Sequence, residues 1–358
     1  MFFFLHFSTP LWCKEKPSDS SAKTLGTQAL TILKQAMRDE DSDVRAAAAG
    51  SWGFLGNPAA IPVLKEALED SNAYVRIAAG KSLWELEDQA GVGVLQKMIQ
   101  EVPVSQDSAD PIFQMKAIAK NKARVAAIKA LVEAQGKDCA EFLEKFRRDR
   151  FGMVQDQVAV SLARLGYREE IPQFTKALKD PDARVRVAGA EALAEIADTS
   201  TLDVLKKAAS DSSSQVRAAV MRALGALGSA LVLSEIREGT KDRDDLVKIQ
   251  ALEALGRIQN PATVTLLGEV FDKSDNPYVQ LVAMSGLVKK GRSFSDLSIL
   301  EDALDKEDTD LKLKVVEVLS FLPGDKAMSL LKKTMADPNH HVQVKAAVAL
   351  VKRLSKKK

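Results

Sequence analysis

The chain has little from which to build chemistry. Its 358 residues include two cysteines, three histidines, three tyrosines and three tryptophans, and aromatics make up only 5%. Cys13 and Cys139 stand far apart, and neither lies in a CxxC or other metal-ligand spacing. A disulfide framework is thereby excluded, and the redox compartment stays open. His6, His340 and His341 are too few for the usual metal or acid–base sets. Neither sign of charge dominates: 51 basic side chains face 49 acidic ones, a net of +2. That balance gives no global pull toward nucleic acid or an acidic membrane. No run reaches the roughly 18 apolar residues that a bilayer-spanning helix needs. No Gly-rich phosphate loop is present, so no cofactor is expected.

What the chain does have is a period. Asp180 to Leu193 reads as an acidic turn, Val185-Arg186, a small-residue helix and a closing leucine. The same pattern returns 31 residues later from Asp211 to Leu224, with Val216-Arg217, and precedes it from Asp149 to Leu162, with Val154-Gln155. A fixed period in this range marks a stacked repeat, which makes division into compact domains meaningless. Second helices begin near Val154, Val185, Val216, Val247, Val279, Leu311 and Val342, each with a leucine eight residues on. Ala, Leu, Lys and Glu enrichment favours helix throughout. The expected fold is all-α: an α-solenoid, a right-handed superhelix of about ten helical hairpins.

Residues 1–22 read as an apolar leader and polar linker, and 23–358 as the array. Met1 to Phe7 followed by a Ser- and Lys-containing stretch resembles an export signal with its start cut off, since the basic n-region is missing. Trp12 also stands where a small residue precedes a lipidated cysteine. A leader without targeting function fits equally, so the compartment stays open between cytoplasm and export. In the third unit the step from Arg76 to Arg124 is 48 rather than 31. An insertion near 101–117, read as a grown loop, accounts for it, and loop growth costs little entropy.

Counting each second helix from its first apolar residue as zero, positions 0, +4, +8 and +11 share one apolar arc. Position +4 is small in most units: Ala48, Ala79, Ala127, Gly189, Ala251, Ala283 and Ala346. Small residues let neighbouring helices approach closely. A lone hairpin cannot cover its apolar faces, so its sequence neighbours must, and hairpins about 150 residues apart should not touch through their cores. Position +1 is basic in seven of ten units, and an aspartate lies six residues before it in seven of ten. The stripe through Asp39, Arg45, Asp70, Arg76, Asp180, Arg186, Asp211 and Arg217 reads as a structural ladder. In it the aspartate caps the turn and the arginine bonds it or its neighbour.

The pattern of Asp, Val-Arg, Ala-Ala and Leu-Gly, with Ile61-Pro62 and Ile171-Pro172 opening first helices, resembles HEAT repeats. It is most similar to the short bacterial subtype named after phycobilisome lyases. The resemblance covers residues 23–358 and implies the fold. It also raises two enzyme groups. Deoxyhypusine hydroxylase holds two irons on His-Glu pairs, and this chain has no such dipeptide; adjacent His340 and His341 point about 100° apart on a helix. For a bilin lyase the resemblance supplies no compact catalytic motif; Cys139 is a candidate nucleophile, and no histidine neighbours it in sequence.

The polar arc at +3, +6 and +10 is expected to line the concave side and to receive a protein or peptide partner. The candidate partner-binding residues are Phe54, Trp84, Lys81, Glu85, Lys129, Glu133, Arg164, Arg222 and Arg257. Charge signs alternate along this arc, without the continuous basic track that a phosphate backbone needs. The resulting expectation is a monomeric, non-enzymatic scaffold or adaptor with no small-molecule substrate. A phycobilisome-lyase-like chromophore lyase or accessory subunit is the alternative, and a nucleic-acid-binding HEAT-like protein a further one.

Overall fold

The protein is described by a computed structural model that covers residues 20–103 and 111–356. The leader, Cys13 and residues 104–110 of the insertion lie outside the described residues. Every described regular element is helical. In chain order the α-helices are α1 (Ser20–Ala36) and α2 (Ser42–Leu55), α3 (Ile61–Ala67) and α4 (Ala73–Glu85), α5 (Ala90–Gln100) and α6 (Pro111–Gln135). There follow α7 (Ala140–Glu144) and α8 (Gly152–Leu165), α9 (Ile171–Ala177) and α10 (Ala183–Ile196), α11 (Leu202–Ala208) and α12 (Ser214–Leu227). The remainder are α13 (Leu233–Gly239) and α14 (Asp245–Arg257), α15 (Ala262–Lys273) and α16 (Pro277–Lys289), α17 (Ser298–Leu304) and α18 (Thr309–Phe321), α19 (Asp325–Thr334) and α20 (His340–Lys356). They pair into ten hairpins.

The start of a second helix is built twice over from short acceptors. Asp70 accepts from the backbone N–H of Asn72, and Asn72 from that of Tyr74, both at 2.8 Å. Asp180, Asp182 and Arg184 repeat the relay, as do Asp242, Asp244 and Leu246. Each step satisfies a donor that the helix itself cannot reach. Second helices commonly end in a left-handed residue, usually glycine, such as Gly166 at φ 109°. After α10 that place is held by Ala197 at φ 54°, where a Cβ costs about 1–2 kcal/mol.

The apolar arc packs as its pattern requires. Leu162, Leu193, Leu224, Leu255, Leu287, Leu319 and Leu350, all at +8, have no exposed surface. The small +4 residues are the points of closest approach. A Cβ on Gly189 would lie 2.9 Å from that of Ala177, and Ala79, Ala251, Ala283 and Ala346 are fully buried. Trp52 replaces the usual leucine at +8 in the first hairpin. Its indole Nε1 is the one buried side-chain N or O among the described residues without a hydrogen-bond partner.

The chain forms two compact units. One comprises residues 137–324, in which α10 packs on α12, α12 on α14, α14 on α16 and α16 on α18, over a continuous core. The other joins residues 1–136 to 325–358. In it α2 packs on α4, α4 on α6, and α20 packs on both α1 and α2. This corrects the expectation that distant hairpins do not touch: the last hairpin covers the first. The physical reason lies in the repeat itself, because α20 carries the same apolar arc as the other second helices, with Ala346 at +4 and Leu350 at +8 fully buried.

The insertion is also corrected in part. Residues 111–117 are not loop but the first turns of α6, which runs without a break through Arg124. Pro111 opens this helix at the position where a missing N–H costs nothing. The extension is apolar yet open to solvent, with Ile112 60% and Met115 70% exposed.

Candidate functional site

In residues 137–324 the polar arc concentrates its charge where α14, α16 and α18 meet. Glu317, at +6 on α18, accepts from Lys289 Nζ at 2.5 Å, from Ser285 Oγ at 3.0 Å and from Lys314 Nζ at 2.8 Å. Lys314 also lies 3.4 Å from Glu253 on α14. Burial by itself would raise the Glu317 carboxyl, but the hydrogen bonds from Lys289 and Lys314 outweigh it and bring it down to about 2. Burial likewise opposes the charge of Lys314, and Glu317 and Glu253 reverse that, raising its pKa. The result is a fixed ionic network rather than a pair of mobile surface charges.

Around this network lies a cavity of about 140 Å³ lined by Glu253, Gly256, Arg257, Ser285, Gly286, Lys289, Lys314 and Glu317, among others. Two glycines thin its wall: a Cβ on Gly256 would sit 3.6 Å from the Cα of Gly286. Outside the cavity's lining, the Phe321 ring lies 5.4 Å under Lys289 and the Tyr278 ring 5.9 Å under Lys314. Of the three cations at the cavity, two are neutralised by Glu317 and Glu253. Arg257 is exposed and makes no side-chain hydrogen bond or ion pair among the described residues.

Nine candidate residues were expected along one face, and the structure distributes them over both units. Arg164, Arg222 and Arg257 stand in residues 137–324. Arg222 is occupied by Glu191 at 2.6 Å, both side chains being largely solvated. Phe54, Trp84, Lys81, Glu85, Lys129 and Glu133 stand in the other unit. There Lys81 bridges Glu133 at 2.5 Å and Glu85 at 3.8 Å. Burial raises the Glu85 carboxyl, since its side chain sits against the bare Cα of Gly53. Phe54 is 57% exposed, with Lys352 Nζ 4.6 Å above its ring, while Trp84 is half-buried. Glu253, Ser285, Lys289, Lys314 and Glu317 were not among the nine candidates. Their signal was present, since they fall at +3, +6 or +10 of the same arc, but none stands out until the cavity brings them together.

The ladder residues do something different. Arg45 grips Asp70, Arg186 grips Asp211 and Arg217 grips Asp242, each through Nε and Nη2 at 2.7–2.9 Å. Each of these arginines also donates Nη1 to the carbonyls of its own turn, as Arg186 does to Asp180. Arg76 keeps only that second role. Arg124 departs further: it is buried, donating to the Ile99 carbonyl at the end of α5 and to Asn121. A cleft of about 460 Å³ beside α11–α14 is lined by ladder residues Arg217 and Asp242 and by the Lys206–Glu235 pair.

Cys139 is buried at 1% exposure, and burial pushes its thiol up to about 11. A nucleophilic cysteine needs the opposite shift. His340 Nδ1 lies 2.5 Å from Asp39 Oδ2, so this ring faces a neighbouring hairpin as well as solvent. Among the described residues no three His, Cys, Asp or Glu side chains converge as metal ligands would, and no helix is long and apolar enough to cross a membrane.

Stacked helical hairpins, packed over a continuous core in residues 137–324 and bearing an ion-paired ladder along their turns, define an α-solenoid repeat protein. The sequence profile described as HEAT repeats matches residues 22–84, 139–220, 171–251 and 207–288, which together span more than half of the chain. The chain belongs to the HEAT-repeat family. Among solved structures it is similar to an engineered protein, at 20% identity over 92% of this chain and 99% of that one, with a TM-score of 0.33. It is also similar to human deoxyhypusine hydroxylase in complex with glycerol, at 17% identity over 75% and 98% of the two chains, TM-score 0.33. The CpcE–CpcF complex of phycocyanin lyase from Nostoc sp. PCC7120 matches at 19% identity over 80% and 93%, TM-score 0.31. No curated protein matches.

Proposed function

We propose that the protein is a non-enzymatic scaffold that binds a protein partner on the polar face of its second helices, with an acidic side chain of the partner entering the α14–α16–α18 cavity. The observation that carries this reading is Arg257. It is a guanidinium with no counter-ion among the described residues, set beside two lysines whose positions Glu317 fixes. An unpaired cation next to a preorganised network gains a charge-assisted bond on binding without breaking one. The cavity, at about 140 Å³, has room for a carboxylate side chain rather than a whole metabolite.

The test is fluorescence anisotropy with a labelled Asp/Glu-rich peptide, and a neutral peptide of equal length as control. A hydrogen bond to a charged group contributes about 1.5–3 kcal/mol, so Arg257→Ala should weaken the acidic peptide about tenfold or more. Lys289→Ala should weaken it as well, and binding should fall with salt. Equal binding of both peptides, or unchanged affinity in both variants at unchanged helicity, refutes the reading.

A further inference from the structure

The contact between the last hairpin and the first repeats, element by element, the contact between consecutive hairpins. Lys352 and Phe54 are both at +10 of their helices, with the ammonium 4.6 Å from the ring. Lys289 and Phe321 are also both at +10, on the consecutive helices α16 and α18, at 5.4 Å. Asp39 occupies the ladder position held by Asp70, Asp211 and Asp242. Those three take an arginine from the preceding hairpin, and Asp39 takes His340 from the last one. Gln343, at +1 of α20, donates to the carbonyl of Asp337 in its own turn, as the ladder arginines do in theirs. Lacking their second arm, it leaves Asp39 to His340. In the unit that contains both, α19–α20 therefore stands to α1–α2 as any hairpin stands to the one after it.

A leading face and a trailing face that fit each other form a heterologous surface, which a second copy can satisfy as well as the chain's own end. We propose that the hairpin 325–358 is exchangeable: the seat on α1–α2 accepts the same hairpin from a second copy of this chain, with identical contacts. Reciprocal exchange would give a dimer in which both α1–α2 seats are filled. The joint is short, Leu322, Pro323 and Gly324 leading into α19, and Gly324 turns it at φ 96°. This proposal is independent of the partner reading above. The balance is set by effective concentration. If tethering supplies about 1 mM, roughly a tenth of seats should be filled in trans at about 100 µM chain.

The test uses the full chain with Cys13→Ser. A Cβ built on Gly26 lies 3.5 Å from the Leu354 side chain, so Gly26→Cys and Leu354→Cys report the seat. The double variant, treated with a short bifunctional thiol reagent at low micromolar concentration, should yield a cross-linked monomer of altered gel mobility. The two single variants, mixed and treated, should yield a covalent dimer whose share grows about tenfold from about 10 to 100 µM. Absence of the cross-linked monomer removes the seat itself. A cross-linked monomer without any mixed dimer at 100 µM overturns exchange.

Discussion

The ladder pair Arg217–Asp242 offers the sharpest measurement of what the repeating charges contribute. Their side chains are 11% and 13% exposed, and Arg217 meets both carboxylate oxygens of Asp242, at 2.7 and 2.8 Å, while donating to the Asp211 carbonyl at 2.9 Å. After Arg217→Ala, Asp242 retains the backbone N–H of Asp244 but loses its cation in a largely water-excluded place. Exposed ion pairs couple by about 0–1 kcal/mol, and breaking a buried one costs about 3–5 kcal/mol. A pair at this accessibility falls between them, so Arg217→Ala should cost about 2–3 kcal/mol. The assay is urea unfolding followed by far-UV circular dichroism for Arg217→Ala, Asp242→Ala and the double variant. The cycle should return a coupling of about 1–2 kcal/mol. Arg222–Glu191 serves as the internal control: a comparably short pair at 41% and 52% exposure, expected to couple by under about 0.5 kcal/mol. The pH dependence has a definite sign. Arg217's hydrogen bond, opposed by burial, holds Asp242 below its usual value. The pair's stabilisation is therefore complete above the unfolded carboxyl's pKa of about 3.9 and is lost as pH falls below it. Arg217→Ala should be less sensitive to acid in that window. Equal coupling for the two pairs would refute the claim that accessibility sets the ladder's worth.

Three further outcomes follow from the packing. Gly225→Ala would place a Cβ 2.5 Å from that of Ala254 and should cost about 1–3 kcal/mol in thermal unfolding, partly recovered by adding Ala254→Gly. Ala197→Gly removes a Cβ from a left-handed position and should raise stability by about 0.5–1 kcal/mol, whereas a lowered melting temperature would show that the strain is not there. In a Cys13→Ser protein, a chromogenic disulfide reagent at pH 8 should leave Cys139 unmodified until urea unfolds the chain, and fast labelling of the native protein would contradict its burial.

The repeating half of this fold was legible in the chain because one physical demand recurs every turn of the array. The leucines at +8 and the small residues at +4 answer that demand, and all seven of those leucines are fully covered. What could not be read is which hairpin meets which. Faces that are nearly identical carry no address, so α20 settling on α1 and α2 leaves no mark on the 31-residue period. The first turns of α6 were hidden for a related reason: Ile112, Met115 and Ile118 have helical spacing but stay exposed, and Pro111 looked like a break. At the site, Glu253, Lys289 and Glu317 were visible as alternating charge. That they converge with Lys314 and Ser285 on one cavity depends on the close approach of Gly256 and Gly286, a property of backbone distance rather than of residue type.

The return of residues 325–358 to the N-terminal unit bears on how the chain is made. A ribosome delivers α1 and α2 first and α19 and α20 last, with residues 137–324 synthesised in between. At about 5–20 residues per second, the nascent first hairpin waits some ten seconds or more with one flank uncovered. Until then the flank of α1 around Gly26, which meets the Leu354 side chain in the finished protein, stays uncovered.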